Sequence, residues 1–202
     1  MKNTSDMTSG NPLKIILLFA LPILLGNLFQ QFYNLVDTSV VGHVLGEDSL
    51  AAVGATSPVY TLIISFAFGM SNGFSIVGAR IFGAKKEEQL RRSFAMSILL
   101  TTVMSVLLTI IGHLILMPLL RVLKTPESII QESYSYIIII LSFAFVTMFY
   151  NMLAGYLRAV GNSRTPLYFL VIASIVNVIL DLIFVAGCSM GVKGAAVATV
   201  CS

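Results

Sequence analysis

Six apolar blocks make up nearly all of this chain, and five of them are long enough to cross a lipid bilayer. They run from Leu13 to Val44, Leu50 to Phe82, Phe94 to Leu120, Ile129 to Leu157 and Pro166 to Ala186. A spanning helix needs about 20 predominantly apolar residues. Backbone N–H and C=O groups in hydrocarbon must be paired within the segment, so blocks of this kind fold as helices. The sixth block begins near Gly191 and is still apolar at Ser202, too short to cross. The expected fold is an all-α integral membrane bundle of five complete transmembrane helices plus a truncated sixth. Residues 1–12 form a tail and residues 13–202 the bundle.

Composition agrees. Charged residues are 10% of the chain and hydrophobic residues 57%, whereas soluble domains carry about 25% charged residues. The net charge of +3 does not point to nucleic acid, because the basic residues sit in loops between apolar blocks. Lipid headgroups are the expected partner of those loops. Cys188 and Cys201 lack metal-ligand spacing and read as small packing residues. His43 and His113 each stand alone near an expected helix end. The first block exceeds the roughly 7–15 residue core of a signal peptide and lacks a small-x-small cleavage site, so it is expected to stay as the first span.

Enzyme signatures are missing. Gly78 to Lys86 loosely resembles a phosphate loop, but alanine follows the second glycine. There is no His-Glu-x-x-His, no Ser/His/Asp arrangement and no cysteine cluster. The chain is not expected to be an enzyme.

Loop charges set the expected orientation. Lys2, Lys14, Arg80, Lys85, Lys86, Arg91, Arg92, Arg158 and Arg164 fall on one side of the membrane; Arg121, Lys124 and Lys193 fall on the other. The positive-inside rule places the first group, and the N-terminus, in the cytoplasm of a multi-pass plasma-membrane protein. Gly161-Asn162-Ser163-Arg164-Thr165-Pro166 reads as a turn, a cap and a proline at the first helical position. Gly69 and Gly73 form a small-xxx-small pair that suggests close helix packing.

Of the nine acidic residues, seven fall in the tail, in loops or at helix ends, and the other two, Asp37 and Asp181, lie within apolar spans. A carboxylate at the bilayer centre costs about 2.5–3.5 kcal/mol on insertion scales, so one that persists faces a cavity or a partner. On span one, Asn27, Gln30, Asn34 and Asp37 follow helical spacing along one face; on span five, Ser174, Asn177 and Asp181 do the same. Both stripes reach their aspartate late in an outward-running helix. Two carboxylates at similar depth on separate helices are what a cation or proton site in lipid requires. Asn151 and Thr199 are candidate neutral oxygen ligands, set against a plain helix–helix hydrogen bond for Asn151 and back-bonding within its own helix for Thr199. Pro22 breaks one backbone hydrogen bond in span one and is either a static kink or a hinge. Phe32, Tyr33, Tyr60, Phe145, Phe149 and Tyr150 are candidates for an aromatic cavity that holds flat cations, or else packing residues.

These residues resemble the multidrug and toxic compound extrusion family along the whole chain. The most specific stretches are Gly10-Asn11-Pro12-Leu13, Ala20-Leu21-Pro22, Asp37 to Gly42, Ala51-Ala52-Val53-Gly54, Gly83-Ala84-Lys85 and, most of all, Gly155 to Pro166. The resemblance implies one lobe of a two-lobe, twelve-helix transporter, with the C-terminal lobe missing here. It implies export of small organic cations against H+ or Na+. It also implies a cation/proton-coupling site of Asp37, Asn151, Asn177, Asp181 and Thr199 and a hinge at Pro22; the polar stripe and the aromatics themselves make Gln30, Asn34, Tyr33 and Tyr150 candidates for a substrate cavity. No cofactor and no metal beyond Na+ is expected. His43 stands where many relatives carry a basic residue.

Two other readings stay open at this point. A lipid-linked saccharide flippase of the same superfamily calls for arginine and lysine in the cavity, and no such residue lies mid-span. A non-transporting scaffold or channel subunit would use the polar stripes only for assembly. One lobe alone is not expected to transport.

Overall fold

Asn11 opens the first helix: its side chain accepts the Leu13 N–H at 3.1 Å, and Pro12 takes the first helical position, where its missing N–H costs nothing. The computed structural model describes residues 11–202, so the expected tail falls outside the described residues as far as residue 10. From Asn11 the chain runs through α1 (Pro12–Leu45), α2 (Glu47–Gly83) and α3 (Glu87–Val122). Then come α4 (Ile130–Ser142), α5 (Ala144–Ala159), α6 (Arg164–Asp181), a π-helical stretch (Leu182–Gly187) and α7 (Val192–Cys201).

The first three helices have 34, 37 and 36 residues. At about 1.5 Å per residue each exceeds the roughly 30 Å hydrocarbon core, so each tilts or extends beyond it. Glu47 and Asp48 in the first turn of α2 offset the positive helix end. Gly83 ends α2, and Lys85 adopts φ +58 to turn the chain into α3.

Among the described residues, four helices, or five with the bent pair α4 and α5 taken as one span, are long and apolar enough to cross a membrane. Their outer faces are apolar. Leu17, Leu114, Phe169 and Ile172 are 61%, 74%, 61% and 59% exposed, a surface that suits lipid and not water. Phe32 and Phe145, candidates for the aromatic cavity, also face outward. Cys188 and Cys201 are exposed as well, not packed.

Span four, expected as one helix, is formed by two. It breaks at Phe143, and its halves meet at 47°. Neither proline nor glycine stands there. Instead α3 supplies the polar groups that a break leaves open: Thr109 Oγ1 donates to the Leu141 carbonyl at 3.3 Å. His113 Nε2 lies 3.2 Å from Ser142 Oγ, which donates to the Ile138 carbonyl at 2.7 Å. Side chains entering the helical ladder are a recognised cause of bends.

Close packing of α2 on α5 does not use Gly69 or Gly73, since neither has an atom within 4 Å of where a Cβ would stand. The close approach is at Gly155, where a Cβ would sit 3.2 Å from the Ser71 carbonyl oxygen. At the α5–α6 joint, Gly161 takes φ +83. Asn162 Oδ1 accepts the Thr165 N–H at 3.1 Å, so Asn162 caps α6 and Pro166 is its third residue, not its first.

Candidate functional site

α1 packs along α6, which brings Asp37 and Asp181 together. Asp37 and Asp181 are 9% and 1% exposed, and their carboxyls come within hydrogen-bonding reach of each other. A hydrogen bond between two carboxyls needs a proton on one of them. At this separation the pair can share a proton. Asp37 Oδ1 and Asp181 Oδ1 are buried with no hydrogen-bond partner.

Asn177 is fully buried one turn before Asp181. In the amide orientation that satisfies both of its ends, Nδ2 donates to Asp181 Oδ2 at 2.8 Å and Oδ1 accepts the Thr199 N–H at 3.3 Å. The Thr199 hydroxyl donates back to the Ala195 carbonyl at 2.9 Å. Its oxygen is within hydrogen-bonding reach of the Tyr33 hydroxyl, which has a proton to give. Asp37, Asn177, Asp181, Thr199 and Tyr33 thus form one cluster built from α1, α6 and α7. The π-helical stretch begins directly after Asp181, and single π turns inside helices often mark functional sites.

A cavity of about 250 Å³ adjoins this cluster. Tyr33 and Thr199 lie on its wall, whereas Asp37 and Asp181 do not, so the carboxyl pair sits behind that layer. Gln30, Tyr150, Asn151 and Pro22 also line the cavity. Asn151 donates from Nδ2 to the Thr147 carbonyl of its own helix at 2.8 Å. The cavity wall is therefore its location, with no bond to the carboxyl pair. Asn34 lines a separate shallow groove with Thr38 and His43.

Two features of the site were not singled out in the sequence. Tyr136 on α4 is buried, with both aspartates, Tyr33 and Tyr60 near enough to act on it electrostatically; in the sequence it is one aromatic in an apolar stripe. Arg158, counted above as a loop charge, is half-buried and lines the cavity. Its place one residue before the end of α5 could have flagged it.

Comparison with known proteins gives a consistent picture. The family model described as MatE matches residues 22–183, well over half of the chain. A protein of Bacillus subtilis described as "Probable multidrug resistance protein YoeA" is 36% identical over 190 residues, which is 92% of this chain and 41% of that protein. A second from the same organism, "Probable multidrug resistance protein YpnP", is 32% identical over 98% of this chain and 44% of its own length. A solved structure described as a "MATE in the bent conformation" superposes with a TM-score of 0.89 at 33% identity, covering 95% of this chain and 43% of that one. The chain spans less than half the length of these relatives.

Proposed function

This chain belongs to the MatE family of membrane transporters, and we propose that it serves as the ion-binding lobe of a secondary multidrug exporter. The exchange is of amphipathic organic cations against H+ or Na+ across the plasma membrane, with the N-terminus in the cytoplasm. The observation that carries this reading is the buried pair of Asp37 and Asp181, with Asn177 and Thr199 bonded around it next to a cavity.

Carboxylates are costly in a membrane interior, and a pair with two unpartnered oxygens has a use for a cation. A second proton neutralises the pair. A sodium ion does so through Asp37, Asp181 and the side-chain oxygens of Asn177 and Thr199. Loading and unloading change how strongly α1 and α6 attract each other, and Pro22, early in α1 and on the cavity wall, is where the helix can yield. Ion and drug then compete through the shape of one lobe, which is antiport by linkage. Alternating access needs a second lobe to rock against, so the 202 residues alone are inactive in transport.

The test is dye efflux from cells that express a two-lobe protein carrying this lobe. Asp37→Asn and Asp181→Asn each abolish efflux while the protein remains at wild-type level in the membrane. Normal efflux in both variants rejects the reading.

A further inference from the structure

At the end of the cavity away from the carboxyl pair, three groups that can receive an anion converge. Arg158 is half-buried on the wall, and no ion pair to it exists among the described residues. Ser163 lines the same end, is 7% exposed, and its hydroxyl caps no helix. α6 starts at Arg164 with no acidic side chain in its first turn, and only the neutral Asn162 Oδ1, on the Thr165 N–H, opposes its positive end there. The Tyr150 hydroxyl donates to the Pro166 carbonyl at 3.4 Å and closes that wall. A cation late in α5 also complements that helix's own carbonyl end, but a solvent-facing side chain would do this without losing hydration. Desolvating a guanidinium without a partner is costly.

From this arrangement we propose that Arg158, Ser163 and the start of α6 form an oxyanion subsite. It takes the carboxylate or phosphate of an amphiphile whose apolar body lies along Pro22, Leu167 and Leu170, which line the cavity between. Arginine pairs with either oxyanion through two parallel N–H donors. The cavity then has an anion-accepting end at Arg158 and the carboxyl cluster beyond its other end. Its ligands include zwitterions and not cations alone. This inference rests on reading the cavity as a substrate cavity but not on ion coupling, so its test measures binding and not transport.

The same chemistry has two sources: a free amphiphile and a lipid headgroup. The full chain is placed in phosphatidylcholine nanodiscs and titrated with a dansyl-labelled fatty acid and with its uncharged amide. The carboxylate binds about tenfold more tightly than the amide, the worth of a charge-assisted hydrogen bond. Arg158→Gln removes that preference, while Arg158→Lys and Ser163→Ala each reduce it. Phosphatidylglycerol in the nanodisc displaces the probe if a lipid phosphate is the natural occupant and leaves it bound if a free amphiphile is. Equal binding of the two probes by the wild type overturns the proposal, as does a preference that survives in monodisperse Arg158→Gln. Should Arg158→Gln not fold, an unchanged preference in both Arg158→Lys and Ser163→Ala overturns it.

Discussion

Asp37 on α1 and Asp181 on α6 bring their carboxyls within hydrogen-bonding reach, and each keeps one oxygen buried and unpartnered. No hydrophobic contact could substitute for this relationship, since it sets two carboxyls against each other inside a membrane span. Asn177 is the residue that holds Asp181 in place, donating to Oδ2 while accepting from the Thr199 backbone. Replacing it by alanine takes the amide donor from Asp181 Oδ2, while the Thr199 N–H keeps its place in the α7 ladder. Asn177→Ala is expected to cost about 1–3 kcal/mol for the buried group left unsatisfied, read as a lower melting temperature in detergent.

Tyr33 separates the cavity from the carboxyl pair through its contact with Thr199. Tyr33→Phe keeps the ring and removes only the hydroxyl, so stability changes by about 1 kcal/mol at most. Ion dependence of cation binding is expected to change all the same, because the layer over Asp37 and Asp181 loses its hydrogen bond. Titration of a fluorescent cation at several H+ and Na+ concentrations checks this; identical curves for wild type and variant count against it.

Glycines on α2 and α5 give a paired prediction. A Cβ at Gly155 meets the Ser71 carbonyl oxygen at 3.2 Å, whereas one at Gly69 meets nothing within 4 Å. Gly155→Ala therefore forces two helices apart and destabilises by about 1–3 kcal/mol, while Gly69→Ala stays within about 0.5 kcal/mol of wild type. Thermal melts of the two variants side by side decide it.

The break at Phe143 is held by α3, through Thr109 on the Leu141 carbonyl and His113 on Ser142. Thr109→Val with His113→Ala leaves those groups open, and the span is expected to straighten from its 47° bend. Spin labels on the far ends of α4 and α5 then show a longer distance by pulsed electron resonance. An unchanged distance means the bend comes from elsewhere.

Much of this was legible in the sequence, for physical reasons. Long apolar blocks mark the spans because hydrocarbon leaves the backbone no other option. Asp37 and Asp181 stand out because membranes rarely keep a carboxylate without a use. The break at Phe143 was not legible: its cause lies in Thr109 and His113, on another helix. Asn34 follows its stripe in spacing, yet it falls at the stripe's edge and lines a different groove from Gln30. Arg158 read as a loop charge because helix ends are visible in sequence and side-chain direction is not. The close packing expected at Gly69 and Gly73 occurs at Gly155 instead, because which glycine meets a neighbouring backbone depends on how α2 is rotated.

In the proposed exporter the Asp37–Asp181 pair binds the coupling ion in competition with drug. The direct measurement adds a lipophilic cation such as tetraphenylphosphonium to purified protein in weakly buffered micelles that contain a proton-sensitive and a sodium-sensitive dye. Linkage requires that binding of one expel the other. The wild type is expected to release about one H+ or Na+ per cation bound, and Asp37→Asn and Asp181→Asn to bind the cation and release none. Cation binding by the wild type without release of either ion, or undiminished release from both variants, contradicts the account.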